Sequence, residues 1–99
     1  MGRLVWNPTA LDDLQRVAEY VREHTPLKEQ STIGNIVTRA NQLENFPYSG
    51  QKSEELSVGR EVRTLLVTKH YRILYEVKAN DDVTILQVLD LRSDQEFYR

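Results

Sequence analysis

Between residues 62 and 89 three β-rich runs follow one another almost without pause, at 62–68, 71–78 and 83–89. Val, Ile, Leu and Tyr dominate all three, the residue types that fit a pleated, half-buried surface. Gaps as short as 69–70 and 79–82 admit only antiparallel neighbours, because a parallel return needs roughly a dozen residues or more. Asn80-Asp81-Asp82 supplies the turn chemistry for the second gap. A small sheet of this kind must bury at least one face, so the rest of the chain has to provide the cover.

The upstream sequence supplies it. Residues 3–6 read as a short extended stretch. Asn7-Pro8 then marks a helix start, with Asn7 as cap and Pro8 in the first turn. Ala10, Leu14, Val17 and Val21 recur at helical spacing and predict a helix over 8–24, with Asp12 and Asp13 in its first turn, where the amide dipoles favour anions. Thr25-Pro26 breaks it. Ile33, Ile36, Val37, Ala40 and Leu43 predict a second helix over about 27–44. Gly34 within it costs up to ~1 kcal/mol relative to Ala, a cost that close helix packing would justify. Phe46-Pro47-Tyr48-Ser49-Gly50 is turn chemistry, and 51–59 is polar. The expected architecture is α+β: a short N-terminal strand, a helical hairpin and a three-stranded antiparallel sheet packed against the helices.

The chain has 99 residues, a length that fits one domain spanning 1–99 and excludes large enzyme folds such as the ~250-residue β/α barrel. It has no cysteine, so thiol catalysis, disulfides and Cys-ligated metals are ruled out. With two histidines and no H-x-x-x-H spacing, no metal site and no cofactor are expected. No apolar stretch fits a signal peptide or a membrane span, so a cytoplasmic location without membrane contact is expected. The formal net charge is −2, which gives no overall pull toward nucleic acid.

Within 71–77, Tyr71, Ile73, Tyr75 and Val77 share one side of a strand and Arg72, Leu74 and Glu76 the other. Arg72 is either a surface residue lying along apolar neighbours or a guanidinium presented from a rigid sheet. Arg63 is equally open. Arg92 follows the last strand, either as an ion pair with Asp90 or Asp94 or as a working side chain at a strand end. Tyr98 could stack on a base or assist proton transfer, although a phenol with a pKa near ~10 is a poor base. His24 suits a helix C-terminus. Glu54-Glu55 and Asp81-Asp82 read as solvated loop charge. Trp6, Phe46, Tyr48 and Phe97 are candidates for a partner contact, with core packing the other role for Trp6 and Phe46.

The order of several short motifs resembles the RelE/ParE superfamily of bacterial type II toxins, and is closer to its ParE-like branch. They are Trp6-Asn7-Pro8-Thr9-Ala10, Leu43-Glu44-Asn45-Phe46-Pro47-Tyr48-Ser49-Gly50, Gly59-Arg60-Glu61-Val62-Arg63, Tyr71-Arg72-Ile73-Leu74-Tyr75 and Val83-Thr84-Ile85-Leu86-Gln87-Val88, followed by Arg92. The resemblance spans nearly the whole chain. It implies the architecture reached above and a cognate antitoxin as partner.

The superfamily divides by target. ParE-like members inhibit DNA gyrase, and the long hairpin, Leu43-x-x-x-Pro47-x-x-Gly50 and the arginine-rich strand entrance look like that branch. Arg60, Arg63, Arg72 and Arg92 would then serve target binding. RelE-like members cut messenger RNA on the ribosome. By that alternative resemblance Arg63, Arg72, Arg92 and Tyr98 would be catalytic, with the arginines stabilising phosphoryl charge and Tyr98 moving a proton. Three departures weigh against it: the acidic net charge, Leu65 where that pattern has a lysine, and Asp90 where many relatives carry histidine.

Overall fold

The computed structural model describes residues 2–92. In chain order they form β1 (Leu4–Trp6), α1 (Pro8–His24), α2 (Glu29–Gln42), β2 (Gln51–Lys52), β3 (Glu61–Thr68), β4 (Tyr71–Val77) and β5 (Val83–Asp90). Short 3-10 turns at Pro26–Lys28 and Ala79–Asp81 complete the path. The expected helices and long strands are all present. The second helix is shorter than expected, because Pro26–Lys28 is wound as a tighter turn before α2 begins.

The expected N-terminal strand and three-stranded sheet are present, and the sheet extends to five strands in the order β1-β5-β4-β3-β2 because the N-terminal strand joins it and a short β2 is added. The meander β3-β4-β5 is antiparallel, as the short gaps require. β1 lies parallel to β5, matching Leu4 with Val83 and Trp6 with Ile85, and β2 pairs antiparallel with β3. The strand not anticipated, β2, has only two residues, too few for alternation to register in the sequence.

Asn7 caps α1 through its side-chain oxygen, which accepts from the Ala10 amide at 2.9 Å. Asp12 and Asp13 lie beyond the first turn, contrary to expectation. Asp13 instead reaches across to β5 and accepts from the Val88 amide at 3.0 Å. At the other end, His24 Nδ1 lies 2.8 Å from the Tyr20 carbonyl and its ring stacks on Tyr20, in keeping with its expected place at the helix C-terminus. The tight turn after β4 holds Asn80 and Asp81 at positive φ, a conformation these two residue types tolerate best after glycine. Asp81 and Asp82 are not merely solvated: Asp82 accepts from the Arg3 amide and Asp81 from the Tyr48 hydroxyl.

Both helices cover the face of β4 that carries Tyr71, Ile73, Tyr75 and Val77, all of them buried. Ala10, Val17 and Val21 of α1 and Ile36 and Ala40 of α2 meet these residues together with Leu65, Ile85 and Val88. A register shift between Leu74 and Tyr75 lets β5 place Val83, Ile85 and then Val88 on one face, so its burial departs from strict alternation. Trp6 packs against the core, whereas Phe46 is 66% exposed and takes no part in it.

The buried Tyr75 hydroxyl ties the sheet to the loop after α2. It donates to the Pro47 carbonyl at 2.8 Å and accepts from the Gly50 amide at 2.9 Å. Gly50 has no room for a side chain: an added Cβ would lie 2.5 Å from the Thr64 carbonyl oxygen and 2.6 Å from the Tyr75 hydroxyl. Gly34 is the opposite case. Nothing would lie within 4 Å of a Cβ there, so close helix packing does not explain it.

Gly34→Ala should raise stability by about 0.5–1 kcal/mol through helix propensity, and Gly50→Ala should lower it by about 1–3 kcal/mol through overpacking. Thermal melts of the pair check the contrast, and equal shifts would contradict the packing described. Tyr75→Phe leaves the Gly50 amide without its partner and should cost about 1–3 kcal/mol in urea titration. Burial is the main influence raising the pKa values of Tyr75 and Tyr71 above the ordinary phenol range. The folded state therefore holds these protons after the unfolded chain has begun to release them. Stability should fall as pH rises past about 10, and Tyr71→Phe should flatten that slope.

Candidate functional site

Arg63 faces the helices, directly across from Tyr75. Its Nη1 donates to the carbonyls of Tyr48 at 3.2 Å and Gly50 at 2.6 Å, and its Nε to Glu61 at 2.8 Å. The guanidinium also sits 5.1 Å from the Tyr48 ring centroid. A side chain with this many partners, and only 18% exposed, is a fixed strut of the loop at 46–50. Hydrogen bonding to Asp81 is the main influence raising the Tyr48 pKa, so this phenol stays neutral.

Arg92 forms a second, separate cluster at the far end of the same face. Its Nη2 donates to the Tyr71 hydroxyl at 2.6 Å and its Nε to Asp90 at 3.3 Å. The guanidinium lies between two rings, 5.0 Å from the centroid of Tyr20 and 5.3 Å from that of Tyr71. Burial works against the Arg92 charge, but Asp90 and the two phenols outweigh it and the pKa is raised. Asp90 therefore orients Arg92. Along β4, Tyr75 and Tyr71 stand four positions apart, which separates the two arginine clusters by roughly 13 Å at ~3.3 Å per residue.

Arg72 is exposed on the opposite face of the sheet, in a cross-strand row with Leu66 and Leu89. Among the described residues it has no carboxylate partner. Arg60 serves that same outer side, bonded to Glu76 at 2.8 Å. The sheet thus brings Arg60 and Arg72 to one surface and sends Arg63 and Arg92 to the other. Tyr98 lies outside the described residues. Leu65 is buried beneath the helices, so the position of the lysine in the nuclease pattern is a packing position in this chain.

A groove of about 580 Å³ runs between α1 and the later part of β5, lined by Asp13, Arg16, Tyr20, Glu23, Val88 and Asp90 among others. Asp13 pairs with Arg16 as well as with the Val88 amide. The sequence reading missed Asp13, Tyr20 and Tyr71 as organisers of this region. Tyr20 and Asp13 do stand seven positions apart, on one face of α1. Among the described residues no cluster of three His, Cys, Asp or Glu is placed to hold a metal, and no helix is long and apolar enough to cross a membrane.

The fold has a solved counterpart in the chromosomal ParDE toxin–antitoxin system from P. aeruginosa. A chain of that structure is similar with a TM-score of 0.76 and 23% sequence identity, over 92% of this chain and 97% of its own length. A search of curated proteins finds no match. The family model for the ParE toxin of the type II toxin-antitoxin system parDE matches residues 4–95. That span takes in every element from β1 to β5, and the chain belongs to the ParE toxin family.

Proposed function

We propose that this chain acts as a toxin by inhibiting DNA gyrase in the cytoplasm, and that a cognate antitoxin neutralises it. The supporting observation is the dispersal of the arginines. Stabilising a phosphoryl transition state calls for several donors aimed at one point. Arg63 is committed to two loop carbonyls and Glu61, and Arg92 to Tyr71 and Asp90, roughly 13 Å away at ~3.3 Å per residue along the strand. Arg72 points to the other side of the sheet. This distribution suits recognition more than bond cleavage.

In this reading the protein breaks no bond. The outer sheet face, with Arg72 between Leu66 and Leu89, is its target-binding surface, and Arg60 contributes at the Glu76 end. Arg63 and Arg92 support the surface from behind. An acidic chain of net charge −2 is also poorly suited to the polyanionic ribosomal A site, where each phosphate contact needs a cation.

Purified protein should inhibit gyrase supercoiling. Arg72→Ala should weaken inhibition at least roughly tenfold while shifting stability by less than about 0.5 kcal/mol, as for an exposed residue. Arg63→Ala should lower the melting temperature. Messenger cleavage on programmed ribosomes that is abolished by Arg72→Ala or Tyr98→Phe, with the fold retained, would establish the endonuclease reading instead.

A further inference from the structure

Both helices lie against the inner face of the sheet, and among the described residues no helix covers the outer one. The register sorts that outer face into cross-strand rows. Leu66, Arg72 and Leu89 form the first, Thr64, Leu74 and Gln87 the second, and Val62, Glu76, Thr84 and Val5 the third. The third row is closed on its β3 side, where Val62 is buried and Ser57 of the preceding loop bonds to its amide and its carbonyl. The first two rows are open: Leu66 is 50% exposed, Arg72 is exposed, and Leu74 and Leu89 are half-buried. A guanidinium set among leucines has the composition of a protein-binding hot spot.

The backbone groups of β4 are taken by β3 and β5, so an occupant of this face gains no strand pairing and has to bring side chains. A helix does so, as α1 and α2 do on the inner face. Successive rows lie about 6.6 Å apart along the strand at ~3.3 Å per residue, close to the rise of about 6 Å for four residues of a helix. Charge selects what stands opposite Arg72. Nucleic acid needs a cation for each phosphate it contacts, and the open rows hold Arg72 alone. A second copy of this chain brings no carboxylate in those rows, and Glu76 of the next row is 18% exposed and held by Arg60. We propose that the outer face takes up an amphipathic helix of the gyrase protein, with a carboxylate set against Arg72 between Leu66 and Leu89 and an apolar side chain on Leu74 one turn along. This rests on the proposed inhibition of gyrase and adds the chemistry of the segment contacted, which is protein and acidic.

Hydroxyl-radical footprinting of the full chain should show the Leu66 and Leu89 side chains shielded when gyrase is added and open with the same DNA alone. In supercoiling assays Arg72→Gln should weaken inhibition roughly tenfold, and Arg72→Glu, which opposes two carboxylates, by a further roughly tenfold or more. Leu66→Lys should weaken it roughly fivefold by removing apolar contact, whereas on a DNA-binding face the added cation would strengthen it. Melting temperatures of the variants and the wild-type footprint separate lost contact from lost fold. Equal losses for Arg72→Gln and Arg72→Glu overturn the inference. Stronger inhibition by Leu66→Lys, or shielding by DNA alone, overturns it in favour of nucleic acid. Shielding that grows with the concentration of the chain alone overturns it in favour of a second copy, and shielding of the isolated chain at every concentration in favour of a cover within the chain. Inhibition unchanged in all three variants places the gyrase contact elsewhere and leaves gyrase inhibition standing. If the wild-type chain does not inhibit gyrase, that reading fails and this inference fails with it.

Discussion

One cross-strand pair organises the sheet and what surrounds it. Arg63 and Tyr75 stand opposite each other, and both reach into the loop that follows α2. Tyr75 holds the Pro47 carbonyl and the Gly50 amide, and Arg63 holds the carbonyls of Tyr48 and Gly50. These backbone groups would otherwise need water at a place where Tyr75 is fully buried. The two side chains satisfy them at once, fix the course of the chain into β2, and set how the end of α2 sits over the sheet. Leu43-x-x-x-Pro47-x-x-Gly50 thus has a mechanical reading: Leu43 is buried in the core, Pro47 offers a carbonyl, and Gly50 lets the backbone come against Thr64 and Tyr75.

The sheet's open edges are managed from the helices. On the β5 side α1 supplies Asp13 to the Val88 amide, and on the β3 side α2 supplies Arg39 to the Leu66 carbonyl at 3.1 Å. A carboxylate takes the free donor and a guanidinium takes the free acceptor. Each occupies a group that would otherwise recruit another strand, which limits unwanted edge pairing. A carboxylate and a guanidinium are also replaceable: a true strand brings a whole row of bonds, and each side chain supplies one.

Much of this was legible from residue patterns. The helix spacing of Val17, Val21, Ile36 and Ala40, the cap at Asn7 and the alternation of Tyr71, Ile73, Tyr75 and Val77 are local signals, and local forces decide them. The same alternation sets Arg72 opposite Tyr71 and Tyr75. The partner of β1 was not legible, because pairing between residues 4–6 and 83–85 leaves no mark in either segment. Nor was the register of β3 on β4, where a shift between Leu66 and Thr68 decides that Arg63 shares a face with Tyr75. Without that register the arginines could be read as one surface. Phe46 shows a further limit: composition marks it as apolar but does not say that the tight turn at 46–50 leaves it outside the core.

The pairing of β1 with β5 also governs when the molecule can exist during synthesis. The first strand to leave the ribosome finds its neighbour only when the last is made; the Arg3–Asp82 bond spans 79 positions. At ~5–20 residues per second that is a wait of roughly 4–16 s, during which the helical hairpin has at most the β3-β4 pair to cover. A truncated product lacking β5 loses the strand between β1 and β4, and with it the route to a closed core. The complete sheet is therefore confined to chains translated almost to completion.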